Sequence, residues 1–381
     1  MIRRTAIVLL LVAVTAAAAQ TKPAELRTYE TRYYVIHTDL GRDGAREAEL
    51  RLTRMAQEYR RRTTDFSGEI RKKFPFYLFR NEADYHAAGG TPNTAGEYNP
   101  NAQTLMAFAG DDGPNLATWY TVQHEGFHQF ADQVIGKQLP IWANEGLAEY
   151  FGEALFTGDG FVAGVVPPWR LKRVQATIEA EKFAPLGEVV SLSHKQWNAR
   201  ISTTNYDQVW SLVHFLVHAD DGARRDGLVA LLKDPNSAVE QHLGNVDDLE
   251  TKWRTYWSQL PEDPTADVYA EATLRTLTSF LARATARRQQ FASFDEFVAA
   301  AEKGQLKMAE SDWLPPSLLS DALKRTAGFR KEGDRFSLEL DAPRPPKISY
   351  RSKGGTELAG RFTLKGSRMG DVSIERPVAS P

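Results

Sequence analysis

The chain has 381 residues, 42% hydrophobic and 25% charged, with 47 Lys and Arg against 49 Asp and Glu for a formal charge of −2. This ordinary globular composition excludes wholesale disorder and fibrous repeats, and at about 150 residues per domain the length suggests two or three domains. The near balance of charge removes the electrostatic case for a nucleic-acid partner. With no cysteine, disulfides, thiol catalysis and thiolate-bound metal are excluded, so any metal must be held by His and carboxylates.

The first residues read as an export signal. Arg3 and Arg4 precede an uncharged apolar run over 6–14, and Ala17, Ala18 and Ala19 supply the small residues of a cleavage site. The run is shorter than the roughly 20 residues a spanning helix needs. Residues 1–19 are therefore expected to be removed. The remainder is expected to be exported, periplasmic or secreted, with no stable membrane insertion.

A strand is expected over 31–38, where β-branched and aromatic residues cluster, then a long helix over 41–65 with Leu50, Leu52, Met55 and Tyr59 on its apolar face. A second strand over 73–79, a short helix over 82–88 and strands over 95–98 and 104–109 complete a small α+β layer spanning 27–112. Helical patterns dominate 113–260, with breaks at Pro140, Pro167, Pro168, Pro185 and Pro235. The Pro-Glu-Asp-Pro stretch at 261–264 reads as a boundary. Helices over 267–290 and 294–303 and strands over 336–340, 347–351 and 360–364 then form a small α+β region spanning 265–381. The fold class is α+β: a mixed sheet layer, a mostly helical middle and an accessory C-terminal region.

The chemistry concentrates in His124-Glu125-Gly126-Phe127-His128. On a helix, residues four apart share one face, so His124 and His128 can aim at one ion while Glu125 reaches solvent beside it. By composition alone, a chance match to this pattern somewhere in the chain has a probability of about 1%. Gly126 weakens the helix by about 1 kcal/mol relative to Ala and is a candidate for close approach of another element. A catalytic zinc site normally takes three protein ligands and keeps one position for water. The pattern that continues the same motif to a third His needs Gly at 131 and His at 134, but Ala131 and Val134 stand there. A Glu from a second helix is the alternative. Glu145 and Glu149 lie four apart in Asn144-Glu145-Gly146-Leu147-Ala148-Glu149-Tyr150-Phe151. One can bind the ion while the other accepts a hydrogen bond from the outward nitrogen of a ligand His.

Taken together, the two segments resemble the gluzincin zinc metallopeptidases, and most closely the bacterial peptidase-MA-like group, many of unknown function. The resemblance covers residues 30–258 and implies a zincin-like subdomain with Zn2+ held by His124, His128 and Glu145. It further implies Glu125 as general base, Glu149 as the acidic partner one turn beyond the Glu ligand, and a peptide or protein substrate. Thr204-Asn205-Tyr206-Asp207 and the apolar residues after it are similar to the helix that carries a transition-state tyrosine, which implies that role for Tyr206. The strand over 104–109 would be the edge along which an extended peptide pairs. One departure stands out: only 16 residues separate His128 from Glu145, fewer than in the best-known members.

An endopeptidase or aminopeptidase is expected, with the absence of an acidic cluster for an amino terminus favouring the former. The competing readings are an exported zinc-containing module that holds peptide without cutting it, and a helical scaffold with a fortuitous motif. His214 and His218 are also four apart, with Asp220 and Asp221 adjacent, and read as structural or cleft histidines before a second metal site. His37, His86, His194 and His242 have no partner at ligand spacing.

Overall fold

The computed structural model describes residues 25–110, 113–340 and 343–376; the expected signal segment, 1–19, lies outside them. The fold is mixed α+β, with an N-terminal five-stranded mixed sheet, a helical middle and a C-terminal four-stranded antiparallel sheet.

The first sheet comprises β1 (Arg27–Glu30), β2 (Tyr34–Thr38), β3 (Phe74–Phe79), β4 (Gly96–Asn99) and β5 (Thr104–Phe108), joined through the helices α1 (Arg42–Thr63) and α2 (Glu82–Ala87). Its order is β1-β2-β3-β5-β4. The single strand expected over 31–38 is shortened by a turn, and an additional strand precedes it. The Thr31 hydroxyl accepts from Tyr34 N (2.9 Å) and reverses the chain between β1 and β2. A second correction concerns the edge. β5 runs parallel to β3, and β4 folds back antiparallel on its outer side. The strand expected at the edge is therefore internal, and β4 is the edge.

Next comes α3 (Leu116–Phe130), continued by a π-helical turn (Ala131–Ile135) that Gly136 ends at φ 64°. It is followed by α4 (Ile141–Gly152), the short hairpin β6 (Leu155–Phe156) and β7 (Phe161–Val162), and α5 (Pro168–Glu179). The helices α6 (Leu186–Val190), α7 (His194–Asn198), α8 (Thr203–His218), α9 (Arg225–Lys233), α10 (Glu240–Leu243) and α11 (Val246–Gln259) complete the middle. Prolines mark the starts of α4, α5 and α6, where a missing N–H leaves no helix bond unmade. No helix of the described residues is long and apolar enough to cross a membrane.

The C-terminal part holds α12 (Ala266–Ala286), α13 (Phe294–Glu302), α14 (Pro316–Glu332), and β8 (Arg335–Glu339), β9 (Lys347–Arg351), β10 (Glu357–Lys365) and β11 (Arg368–Glu375). Neither α14 nor β11 was expected. Leu318, Leu319, Ala322 and Thr326 form the only buried stripe of α14, and charged residues crowd the rest of it, which weakens its pattern. These elements enclose their own core around Leu277, Phe280, Phe297 and Tyr350, and Phe156 of β6 inserts into it.

Two glycines set helix spacing. A Cβ on Gly126 would meet Met55 Cε at 2.6 Å and the Tyr59 hydroxyl at 3.3 Å. Its absence lets Tyr59 of α1 reach α3 and donate to the Gln123 carbonyl. A Cβ on Gly146 would stand 2.6 Å from the Val209 carbonyl oxygen and 2.6 Å from Val213 Cγ2, so α4 and α8 pack this closely because a glycine stands at the crossing. Gly146→Ala is expected to lower the urea midpoint. Overpacking costs about 1–3 kcal/mol, against the roughly 1 kcal/mol that Ala gains over Gly in a helix, and a main-chain carbonyl cannot swing aside.

Candidate metal centre

The site stands where α3 and α4 cross beneath β4. Asn115 caps α3 by accepting from Thr118 N (3.1 Å). Trp119, Val122, Phe127 and Phe130 turn into the core. Two buried glutamines then fix the helix. Gln129 Nε2 donates to the carbonyls of Pro75 (3.0 Å) and Gln103 (3.1 Å), holding α3 to the sheet. Gln123 Nε2 lies within 3.0 Å of the Phe151, Gly152 and Ala154 carbonyls, groups that a helix end leaves without partners. This locks α3 to the end of α4 beside His124.

With both helices anchored, three donor atoms converge. His124 Nε2 and His128 Nε2 are 3.1 Å apart. Glu145 Oε2 is 3.6 Å from the first and 3.5 Å from the second. Donors about 2.0–2.1 Å from one tetrahedral ion stand about 3.3–3.4 Å from each other, so the observed triangle matches a single small cation. The three side chains are only 10%, 15% and 12% exposed. Glu145 Oε2 is buried with no hydrogen-bond donor among the described residues, which is costly unless something positive receives it. The imidazoles agree: two protonated rings would point N–H groups at each other across 3.1 Å, whereas a shared cation accepts both lone pairs. The donor set, two nitrogens and one carboxylate, is one that zinc takes.

The other residues singled out in the sequence gather around this triangle. Glu149 Oε1 lies 3.1 Å from His124 Nδ1, on the side of the ring away from Glu145. This distinguishes the two glutamates: Glu145 faces both Nε2 atoms, and Glu149 backs one ring. Glu125 is half-buried, and its Oε2 accepts from the backbone N–H of Tyr98 in β4 (2.9 Å). The Tyr206 ring, at the start of α8, meets His124 edge-on with centroids 6.1 Å apart, and Trp197 braces it at 5.6 Å.

The electrostatics follow from crowding carboxylates against buried imidazoles. Burial opposes charge on His124, but Glu145, Glu149 and Glu125 outweigh it and raise its pKa to about 10. Burial likewise opposes charge on Glu145, and the two imidazoles overcome it, holding the carboxyl well below the usual range. Burial, then the charges of Glu145, Glu125 and Glu149, push the Tyr206 hydroxyl up. Tyr206 is thus held protonated, as a donor. Protons and a divalent ion compete for the same nitrogens.

Several contributors carry no sequence signal. Tyr98 meets the α3 side twice, through its N–H to Glu125 and its hydroxyl to Asp132 Oδ2 (2.6 Å). Tyr120 donates to Glu149 Oε2 (2.6 Å), and Arg170 reaches the same oxygen. A polar cavity of about 620 Å³ opens directly off His128 and Glu145, with Tyr98, Asp132, Asn144 and His194 in its walls. His194, without a partner in sequence, is thus a cleft residue. Every lining residue lies between Tyr98 and Asn198, so the C-terminal region takes no part in it.

His214 and His218 make no second centre. His214 Nε2 faces the Gly164 carbonyl (3.2 Å) and His218 Nε2 the Tyr150 hydroxyl (3.0 Å). Asp220 pairs with Arg224 instead. The charges felt by His218 are those of Arg62 from α1 and Arg225 from α9. Burial, and then each ring's cationic surroundings, lower the pair to about 3 and about 4. The unfolded chain, with His near 6.5, binds protons more readily. The pair's contribution to stability is therefore present above about pH 6.5 and lost as pH falls toward 4. His218→Gln is expected to flatten the fall in melting temperature between pH 7 and 4.5. The difference from the parent profile isolates the pair from His124, whose raised pKa tilts stability the other way.

A family model described as "Protein of unknown function (DUF1570)" matches residues 118–238. The match takes in His124, Glu125, His128, Glu145, Glu149 and Tyr206. No curated protein matches the chain.

Proposed function

We propose that the chain is a zinc-dependent metallopeptidase of the gluzincin type, acting on a peptide or protein outside the cytoplasm. The observation that carries this reading is the 3.1, 3.5 and 3.6 Å triangle of His124, His128 and Glu145, with Glu125 beside it. Zinc held there would supply Lewis acidity and a water acidified from pKa 15.7 to about 7. The remaining roles fall to the chain itself.

Glu125 accepts the proton of the attacking water and passes it to the departing amine. Its other partner, the Tyr98 N–H, keeps the carboxylate aimed without neutralising it. Tyr206, held protonated by burial and by the carboxylates around it, donates to the oxygen that gains charge on the carbonyl. Glu149 orients His124 through Nδ1, which leaves Nε2 for the ion. The edge strand β4 offers main-chain groups to an extended peptide. Export is proposed from the basic and apolar N-terminal residues.

Metal analysis of the purified chain, with cleavage of a mixed peptide library in the presence and absence of a chelator, tests the reading. One zinc per chain and chelator-sensitive cleavage are expected. Zinc with peptide binding but no cleavage would replace the enzyme by a binding module, and no stoichiometric metal would remove both.

A further inference from the structure

Arg170 is a buried charge with no part in the steps above. It stands in the first turn of α5 and is 2% exposed. Its guanidinium meets three carboxylates from two other helices: Nη2 donates to Glu149 Oε2 on α4, Nη1 to Glu153 Oε1 at the end of α4 (2.8 Å), and Nε to Asp207 Oδ1 on α8 (2.9 Å). The Trp210 ring lies beneath it, 4.2 Å from its carbon. Arg173, one turn on, donates to Asp207 Oδ1 (2.7 Å) and adds its charge to that side.

Followed inward, these contacts end at the metal centre. Glu149 turns Oε2 to Arg170 and Tyr120 and Oε1 to His124 Nδ1. Followed outward, they end at Asp207, the neighbour of Tyr206. A carboxylate on a flexible stem meets an imidazole only when its other oxygen is held. A planar, always-charged fork holds it in a way a flexible ammonium does not. The same fork also grips both the helix of Glu145 and the helix of Tyr206.

We propose that Arg170 is the positioning residue of this centre: it sets Glu149 against His124. The proposal rests on His124, His128 and Glu145 holding zinc. Zinc affinity is to be measured on the whole chain by competition with a chromophoric chelator, for the parent, Arg170→Lys, Glu149→Gln and the double variant. Loss of such a supporting contact costs about 10- to 100-fold in affinity, and that loss is expected for Arg170→Lys. The double variant is expected to lose no more than Glu149→Gln alone, because both changes act on one imidazole. Independent, multiplying losses, or an Arg170→Lys affinity equal to the parent's, overturn the proposal. A parent chain that binds no zinc overturns the metal reading and the proposal with it.

Should Arg170→Lys fail to fold by circular dichroism, Asp207→Asn replaces it, keeping the guanidinium but loosening its anchor. Weaker zinc binding in a chain that still melts cooperatively supports the proposal, and unchanged binding overturns it. An arginine of purely structural value would lower the melting temperature of each variant without this dependence on Glu149.

Discussion

Glu125→Gln is expected to leave zinc bound at the parental level and to lower kcat/KM by about 10²- to 10⁴-fold, the range of a lost general base. The amide has nearly the same shape, so the chain has no packing reason to unfold. It can still accept the Tyr98 N–H, the one hydrogen bond the carboxylate makes to the edge strand. What it cannot do is take a proton from water. Zinc content and steady-state hydrolysis, measured on the same preparation, separate the two functions. A variant with full zinc and undiminished cleavage would remove Glu125 from the mechanism.

Glu145→Gln acts on the other half of the site. Glu145 is the one carboxylate facing both Nε2 atoms, and its replacement turns a charged oxygen donor into a neutral one. Zinc affinity is expected to fall by more than the roughly 10- to 100-fold typical of a supporting residue. The same change should appear in stability. A ligand present at 100 times its Kd stabilises the native state by about 2.7 kcal/mol, so added zinc is expected to raise the parent's melting temperature by several degrees. At the same free zinc, Glu145→Gln is expected to show almost none of that rise. Equal shifts in both chains would mean the ion binds elsewhere.

The two proposals fail differently because the residues act at different atoms. Glu125 hangs from the edge-strand amide, and Glu145 is buried against the imidazoles. A chain that loses cleavage in both variants but zinc in only one is the result that joins the triangle to the chemistry.

Much of this site was legible before any coordinates, and the reason is local. His124 and His128 share a face because a helix repeats every 3.6 residues, and no tertiary contact is needed to know it. The pair Glu145 and Glu149 was visible for the same reason. Spacing alone left open which of them faces the imidazoles, and only the resemblance implied Glu145, because the choice depends on how α4 is turned against α3. The Gln123 amide and the glycine contact of Gly146 with α8 set that rotation, and both pairings bridge residues far apart in sequence. The short interval between His128 and Glu145 fits because the π turn carries α3 on to Ile135 and Gly136 ends it at once.

The edge strand shows the opposite case. The two strands around the Asn99-Pro100-Asn101 turn were legible in the sequence, but local pattern contains nothing about their order, and a hairpin can close on either side of a parallel sheet. Helix α14 was missed because four small or medium residues carry its buried stripe. By itself the sequence determined the α+β class, the candidate ligand residue types and their helical faces, all of which follow from short-range periodicity and the chemistry of side chains. Only the tertiary structure decided that β4 lies over Glu125, how close Glu145 comes to both imidazoles, and that Arg170 stands behind Glu149. Each of these depends on which distant backbones share a hydrogen bond or a buried charge, and no local pattern encodes that.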